Sequence, residues 1–218
     1  EIHFPIFNVA RSNLKLVKES PIIADLGCRR VLETLEKYKI KEPKILVVGL
    51  GPIGNNMNLI LKGKGYCVLG YDTAHHDEED LVELIKSNNI NIIIGASGSN
   101  ILDEAGIDLL IKESRKNIYL ISMSSSDREF PAVYLREKSN ASSGVHSDVI
   151  CDQIVLVNNG FPITFKGNSF ESTPEEIEKT IALLLGSTFE SIEGEFSQNG
   201  FIDVQQRAID IIEKNESN

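Results

Sequence analysis

Gly49, Gly51 and Gly54 stand in G-x-G-x-x-G spacing, and Asp72 follows 23 residues after the first of them. Residues of these types at this spacing can hold a phosphorylated nucleotide. Gly49 permits a sharp turn, Gly51 lets a pyrophosphate approach bare backbone, and Gly54 lets a helix pack closely on a strand. Pro52 and Ile53 complete the loop GLGPIG. The first N–H groups of the helix that follows lack intrahelical partners and lie at the positive end of its dipole, which suits phosphate. Asp72, directly after Tyr71, can accept two hydrogen bonds from ribose hydroxyls. The chemistry implied is dinucleotide binding. NAD is expected rather than NADP, because Asp72 would repel a 2′-phosphate and no Arg follows it directly.

These residues need a particular frame. Ile45 to Gly49 is an apolar, β-branched-rich run that suits a strand buried on both faces. Ile53, Met57, Ile60 and Leu61 fall at helical spacing, and Tyr66 to Tyr71 forms a second strand ending in Asp72. The order of strand, glycines, helix, strand and acid is what separates a dinucleotide unit from a glycine-rich turn in some other α/β protein. The alternation continues with helix 78–88, strand 91–94, the turn GASGSN (95–100), helix 103–115 and strand 117–123. That pattern predicts a parallel sheet covered on both faces.

Either Ser12 or Ser20 can cap a lead-in helix that runs to about Lys39. Residues 124–152 are polar and less periodic, and SNASSGVHSD (139–148) reads as a loop. Asn158–Asn159–Gly160 between two apolar runs, 153–157 and 161–165, predicts an antiparallel hairpin. A helix is expected at 171–187, with an apolar stripe at Ile177, Ile181, Leu184 and Leu185, and a last one at about 201–214. The expected architecture is α/β: a doubly wound, Rossmann-like parallel sheet with an N-terminal helix, a C-terminal β-hairpin and helices. It is read as a single domain over 1–218, with a helical lead-in (1–43), a nucleotide-binding core (44–165) and C-terminal helices (166–218).

A net charge of −10 argues against nucleic acid and anionic membrane surfaces as partners. No apolar run approaches the roughly 20 residues that cross a bilayer. Cys28, Cys67 and Cys151 lie far apart without a C-x-x-C, which favours buried free thiols in a reducing cytoplasm.

Other candidates carry two readings each. His75 and His76, beside Asp77 to Asp80, suit a metal or acid–base pair. Adjacent residues on a turn point apart, however, and the acidic run equally suits a solvated helix start, so no metal site is expected. If either His has a role, the adenine edge of the cofactor is its expected partner. Ser124, Ser125 and Ser126 with Asp127 follow a buried strand, but no paired base or nucleophile elbow accompanies them, and hydroxyls that solvate an amide or cap a segment fit as well. His146 lies in the 139–148 loop as a mobile acid–base candidate. Arg11 and Arg128 suit a substrate carboxylate, a helix cap, or ion pairs with Asp127 or Glu129. No catalytic residue is assigned.

With this order established, residues 8–187 resemble the NAD-binding domain of the S-adenosylhomocysteine hydrolase family. FNVARSNLKLVKES places Asn8 where that family has an Asn before the helix entering its nucleotide core. GLGPIG matches the family's glycine loop, and Tyr71–Asp72 matches the acidic end of its second strand. GASGSN, with Ala96, Ser97 and Gly98, resembles its turn over the cofactor ribose and nicotinamide. ISMSSSDREFP, with Ser122, Met123 and Ser124, resembles its next turn, and IVLVNNGFPITFKGNSF its closing hairpin. The resemblance implies that Asn8, Gly49, Gly51, Pro52, Ile53, Gly54, Tyr71, Asp72, Ala96, Ser97, Gly98, Ser122, Met123 and Ser124 contact the cofactor.

The departures bear on activity. His3 and Phe7 stand where the family has a catalytic Lys and Asp, and a family His falls within Ser124–Ser126. The family's substrate domain has no counterpart in these 218 residues, nor have its C-terminal Lys and Tyr in FIDVQQRAIDIIEKNESN. The chain thus resembles a divergent member without the substrate domain. The expectation is a cytoplasmic NAD-binding protein: an NAD-dependent oxidoreductase, or an adenosylhomocysteinase-like enzyme with altered chemistry. Its partners would be an unidentified small molecule and a second copy or partner subunit. The alternative is a non-enzymatic NAD-binding sensor or regulatory subunit.

Overall fold

The structure is a computed structural model that describes residues 3–13, 15–72, 81–124, 128–139, 144–165, 174–193 and 199–203. The chain groups into two compact units, Glu1–Ile22 with Phe170–Asn218, and Ile23–Ser169.

In the first unit, β1 (Pro5–Phe7) pairs in parallel with a strand near the end of the chain, Phe7 opposite Ile202. Of the two candidate caps, Ser12 is the one that acts. Its hydroxyl accepts from the Lys15 N–H at 3.3 Å, and its carbonyl accepts from Leu16 N–H. A wide π turn over Lys15–Glu19 then leads into α1 (Ser20–Lys37), so Ser20 is a helical residue and not a cap.

The second unit is built on a six-stranded sheet. Its strands are β2 (Lys44–Val48), β3 (Cys67–Tyr71), β4 (Ile92–Gly95), β5 (Ile118–Ser122), β6 (Val149–Cys151) and β7 (Ile154–Leu156), in the spatial order β3-β2-β4-β5-β7-β6. All neighbours are parallel except β6 on β7. Between the strands lie α2 (Pro52–Gly63), α3 (Leu81–Ser87), α4 (Glu104–Glu113) and α5 (Ala132–Ser139).

The period-2 alternation of each strand feeds two cores. Ile45, Val47, Ile92, Ile94 and Ile121 pack with Ala24, Cys28 and Val31 of α1 and Met57 and Leu61 of α2. Leu46, Val48, Ile93 and Leu120 point the other way, onto Ile85 of α3, Ile107 and Leu110 of α4 and Leu135 of α5. Each buried Ile or Leu contributes about 1.5–3 kcal/mol. With strands buried on both faces, the near-continuous apolar runs of the sequence are explained.

The expected doubly wound α/β architecture is therefore present, with differences of detail. The hairpin lies earlier than Asn158–Gly160. Val149–Cys151 and Ile154–Leu156 pair around Asp152, whose φ is +52°, while Val157–Gly160 coils into a tight turn with Asn158 and Asn159 at φ +53° and +57°. Pro162 lacks an N–H for a ladder, and Ile163–Phe165 forms a 3-10 turn instead of a strand. α5 was not expected. Only Ala132 and Leu135 of its eight residues are buried, so it shows little period.

In the first unit α6 (Pro174–Glu193) extends beyond the expected 187. It buries Leu183, while Ile181, Leu184 and Leu185 of the expected stripe are exposed. Gly200–Ile202 is a strand, β8, where a helix was expected to begin. The rest of that last helix lies outside the described residues, as do His75, His76, the Asp77–Asp80 run, Ser125, Ser126 and Asp127. All three cysteines are free. Cys28 and Cys151 are buried, but Cys67, at the start of edge strand β3, is exposed, against expectation.

Candidate dinucleotide-binding site

From β2 the chain passes through α2 to β3 on one side, then through α3 to β4 on the other. The strand order reverses between β2 and β4. A crevice opens at such a reversal, beyond the carboxyl ends of the two strands, and ligands of doubly wound folds lie there. Gly49 closes the end of β2 and Ala96 the end of β4, with Gly49 N–H on Tyr71 O and Ala96 N–H on Val48 O, each at 2.8 Å.

The three glycines differ in what surrounds them. Gly49 has φ +91°, and a Cβ there would lie 2.6 Å from Ser97 Cα, so the turn after β4 rests directly on it. A Cβ on Gly54 would lie 1.9 Å from the Gly49 carbonyl oxygen, which is the close approach of α2 to β2. A Cβ on Gly51 would meet nothing within 4 Å. The first and third glycines serve packing, and the second faces open space.

Gly51 is the N-cap of α2 and offers no side chain to its N–H groups. Pro52 is in the first turn, which contains no acid. The positive end of the α2 dipole is thus left for an anion from elsewhere. Asp72 lies at the end of β3, and its Oδ2 accepts from Leu50 N–H at 2.6 Å. This bond orients the Asp72 carboxylate against the glycine loop.

The structure brings Gly49, Gly51, Pro52, Ile53, Gly54, Tyr71, Asp72, Ala96, Ser97, Gly98, Ser122, Met123 and Ser124 to the carboxyl side of β2–β5. Ser97 and Gly98 are exposed, Ser124 half-buried, and Ser122 and Met123 buried. Asn8 belongs to the first unit, where its N–H donates to Ile202 O at 2.9 Å. A cleft of about 310 Å³ is lined by Leu81, Val82, Asn100, Ile101, Leu102, Asp103 and Gly106, from segments that follow β3 and β4. Asp103 caps α4 through Gly106 N–H at 2.8 Å.

Sequence reasoning missed Glu129, weighing it only as an ion-pair partner for Arg11 or Arg128. It is fully buried, and its carboxylate joins the turns after β4 and β5. The available signal was an acid next to Phe130 and Pro131, seven residues after the end of buried strand β5. His146 is exposed, with Nδ1 3.1 Å from Asn158 Oδ1. It belongs to the β6–β7 end of the sheet. Cys28, pushed up to about 12 by burial and then by Asp25, is an inert thiol. Among the described residues, no cluster of three His, Cys, Asp or Glu suits a metal, and no helix is long and apolar enough to cross a membrane.

No protein-family model matches the chain. It is 36% identical over 171 residues to an uncharacterized protein of Mycobacterium tuberculosis, found in two strains, with 76% of this chain and 32% of the relative covered. The chain therefore spans about a third of the length of the curated relatives it matches. Among solved structures it is similar to an NADPH-dependent glyoxylate/hydroxypyruvate reductase from Sinorhizobium meliloti, with a TM-score of 0.51 at 12% identity over 88% of this chain and 72% of that one. It also matches a D-isomer specific 2-hydroxyacid dehydrogenase from Lactobacillus delbrueckii ssp. bulgaricus, with a TM-score of 0.49 at 15% identity over 84% and 69%. At these identities the likeness to the reductase shows the fold.

Proposed function

We propose that the chain binds NAD across the β2–β4 crevice and belongs to an NAD-dependent oxidoreductase or an adenosylhomocysteinase-like enzyme with altered chemistry. The observation that carries this reading is the contrast inside the glycine loop. Gly54 is closed against Gly49 O, Gly51 is open, and Asp72 is bonded to Leu50 N–H, just before Gly51. A mere turn would not need the middle glycine bare. In this reading the pyrophosphate lies over Gly51 and the start of α2, and Asp72 accepts from the adenosine ribose. The apolar walls given by Val82, Ile101 and Leu102 suit the adenine ring. NAD would supply hydride chemistry, and the chain would bind and orient it. The likeness to 2-hydroxyacid dehydrogenases in fold and the resemblance to the hydrolase family both support a nicotinamide cofactor.

A non-enzymatic NAD-binding module is the second reading, and one observation favours it. The polar side chains described at the nicotinamide end are serine hydroxyls and a carboxylate already saturated with donors. None is a free base. Calorimetry with NAD and NADP tests the shared premise. NAD is expected to bind at micromolar or better affinity, and at 100 times Kd to add about 2.7 kcal/mol of stability by mass action. Asp72→Ala should weaken NAD and narrow its margin over NADP by about 1–3 kcal/mol. No heat and no thermal shift at millimolar NAD would remove the reading, and an unchanged NAD:NADP ratio would remove Asp72 from the ribose.

A further inference from the structure

Glu129 is a charged side chain with no exposed surface, bonded to the turns that follow β4 and β5. Its Oε1 accepts from Ser97 N–H at 2.8 Å and Gly98 N–H at 3.1 Å. Its Oε2 accepts from the Ser122 hydroxyl at 2.7 Å and, at longer range, from Met123 N–H at 3.3 Å and Ser124 N–H at 3.4 Å. Its own carbonyl accepts from Ile101 N–H at 2.9 Å. One residue therefore clamps the turn after β4 at both ends and ties it to the turn after β5. Burying a carboxylate is costly unless its oxygens are hydrogen-bonded, so the geometry of all these donors is set together.

Two glycines are explained by this clamp. A Cβ on Gly95 would lie 2.6 Å from Glu129 Oε2, so the bare backbone there makes room for the carboxylate. A Cβ on Gly49 would lie 2.6 Å from Ser97 N, so the turn that Glu129 holds is also the turn on which the glycine loop rests. Peptide planarity sets N–H and C=O antiparallel. With the Ser97 and Gly98 N–H groups aimed at Glu129, the carbonyls of Ala96 and Ser97 face away from it, as acceptors.

We infer that Glu129 is a positioning residue for the half of a dinucleotide that extends from the glycine loop across β4 and β5. The inference rests on the NAD-binding reading. Its geometry predicts an asymmetry. In the order β3-β2-β4-β5, Asp72 lies on one side of the switch point and the two turns held by Glu129 on the other. Loss of the clamp should then weaken NAD while sparing AMP, whose ribose and phosphate need only Asp72 and the start of α2.

The variant is Glu129→Gln, which keeps the shape but places an NH2 group against N–H donors or the Ser122 hydroxyl. Calorimetry on the full chain should show NAD affinity reduced about tenfold or more, the cost of one unsatisfied buried polar contact, with AMP affinity within about twofold. Circular dichroism and melting temperature report whether the fold persists. Should E129Q fail to fold, Ser122→Ala removes one donor from the same oxygen at little change in volume. The same preferential loss of NAD is then expected, at about threefold or more. Equal losses of NAD and AMP, or unchanged NAD affinity in a folded variant, overturn the role of Glu129. Wild-type protein that binds neither ligand overturns the dinucleotide reading itself, a distinct result.

Discussion

Gly51 and Gly54 are three residues apart, and their replacement should have opposite consequences. Gly51→Val places its branched side chain in open space, so melting should stay near wild type while NAD binding is lost to the volume the pyrophosphate needs. Gly54→Ala drives a methyl into the Gly49 carbonyl, 1.9 Å from an ideal Cβ, so α2 or the loop must move. Overpacking of this kind costs about 1–3 kcal/mol, or roughly 2–4 °C per kcal/mol in a chain of this size. Paired melting curves and NAD titrations check both. A folded Gly51→Val that binds NAD normally would reduce the loop to a turn. These glycines and Asp72 were legible in the sequence because each sits in a local motif whose spacing reports its geometry. Glu129 was not, because its partners lie 5–7 and 31–32 residues away along the chain and meet only once the sheet is assembled.

Elements differ in the same way. The long parallel strands announced themselves because burial on both faces leaves a continuous apolar run, and α2 because Met57 and Leu61 repeat at helical spacing. The β6–β7 end did not, because polar contacts organise it. Asp148, on the threshold of β6, accepts from Lys37 and Tyr38 at the end of α1 and from Asn158 N–H at 2.8 Å. Asn158 Nδ2 in turn donates to Phe161 O and Pro162 O, and this capture turns Asn-Gly away from a hairpin. Burial works to raise the Asp148 pKa, but the bonds from Lys37, Tyr38 and Asn158 outweigh it and leave the carboxyl below its ordinary value. A depressed folded pKa stabilises above the unfolded value of about 3.9 and ceases to do so as pH falls through the folded one. Asp148→Asn should therefore cost about 1–3 kcal/mol at pH 7. The gap to wild type should close as denaturation is repeated below about pH 4. A gap that persists undiminished into strong acid would mean that shape, not charge, holds this end.

At the scale of the whole chain, a nucleotide fold and a hydrolase activity are separate claims. Breaking the thioether of S-adenosylhomocysteine by oxidising its ribose requires a hydride acceptor and then a base that removes a proton from the adjacent carbon. In the proposed reading the β2–β4 crevice holds the acceptor. The positions resembling the family's Lys and Asp are His3 and Phe7. His3 is exposed on the leading segment, and Phe7 is locked in β1 opposite Ile202, with a side chain that neither accepts nor gives a proton. Ser124 stands within the run where the family has a His, and a serine hydroxyl lacks the imidazole that takes and returns a proton near neutral pH. The 218-residue chain loaded with NAD should accordingly leave S-adenosylhomocysteine intact. The assay follows adenosine and free thiol over time against a no-enzyme control. Release that exceeds the control and disappears in Gly51→Val would tie the activity to the bound dinucleotide. It would also require a base from outside the positions the family uses.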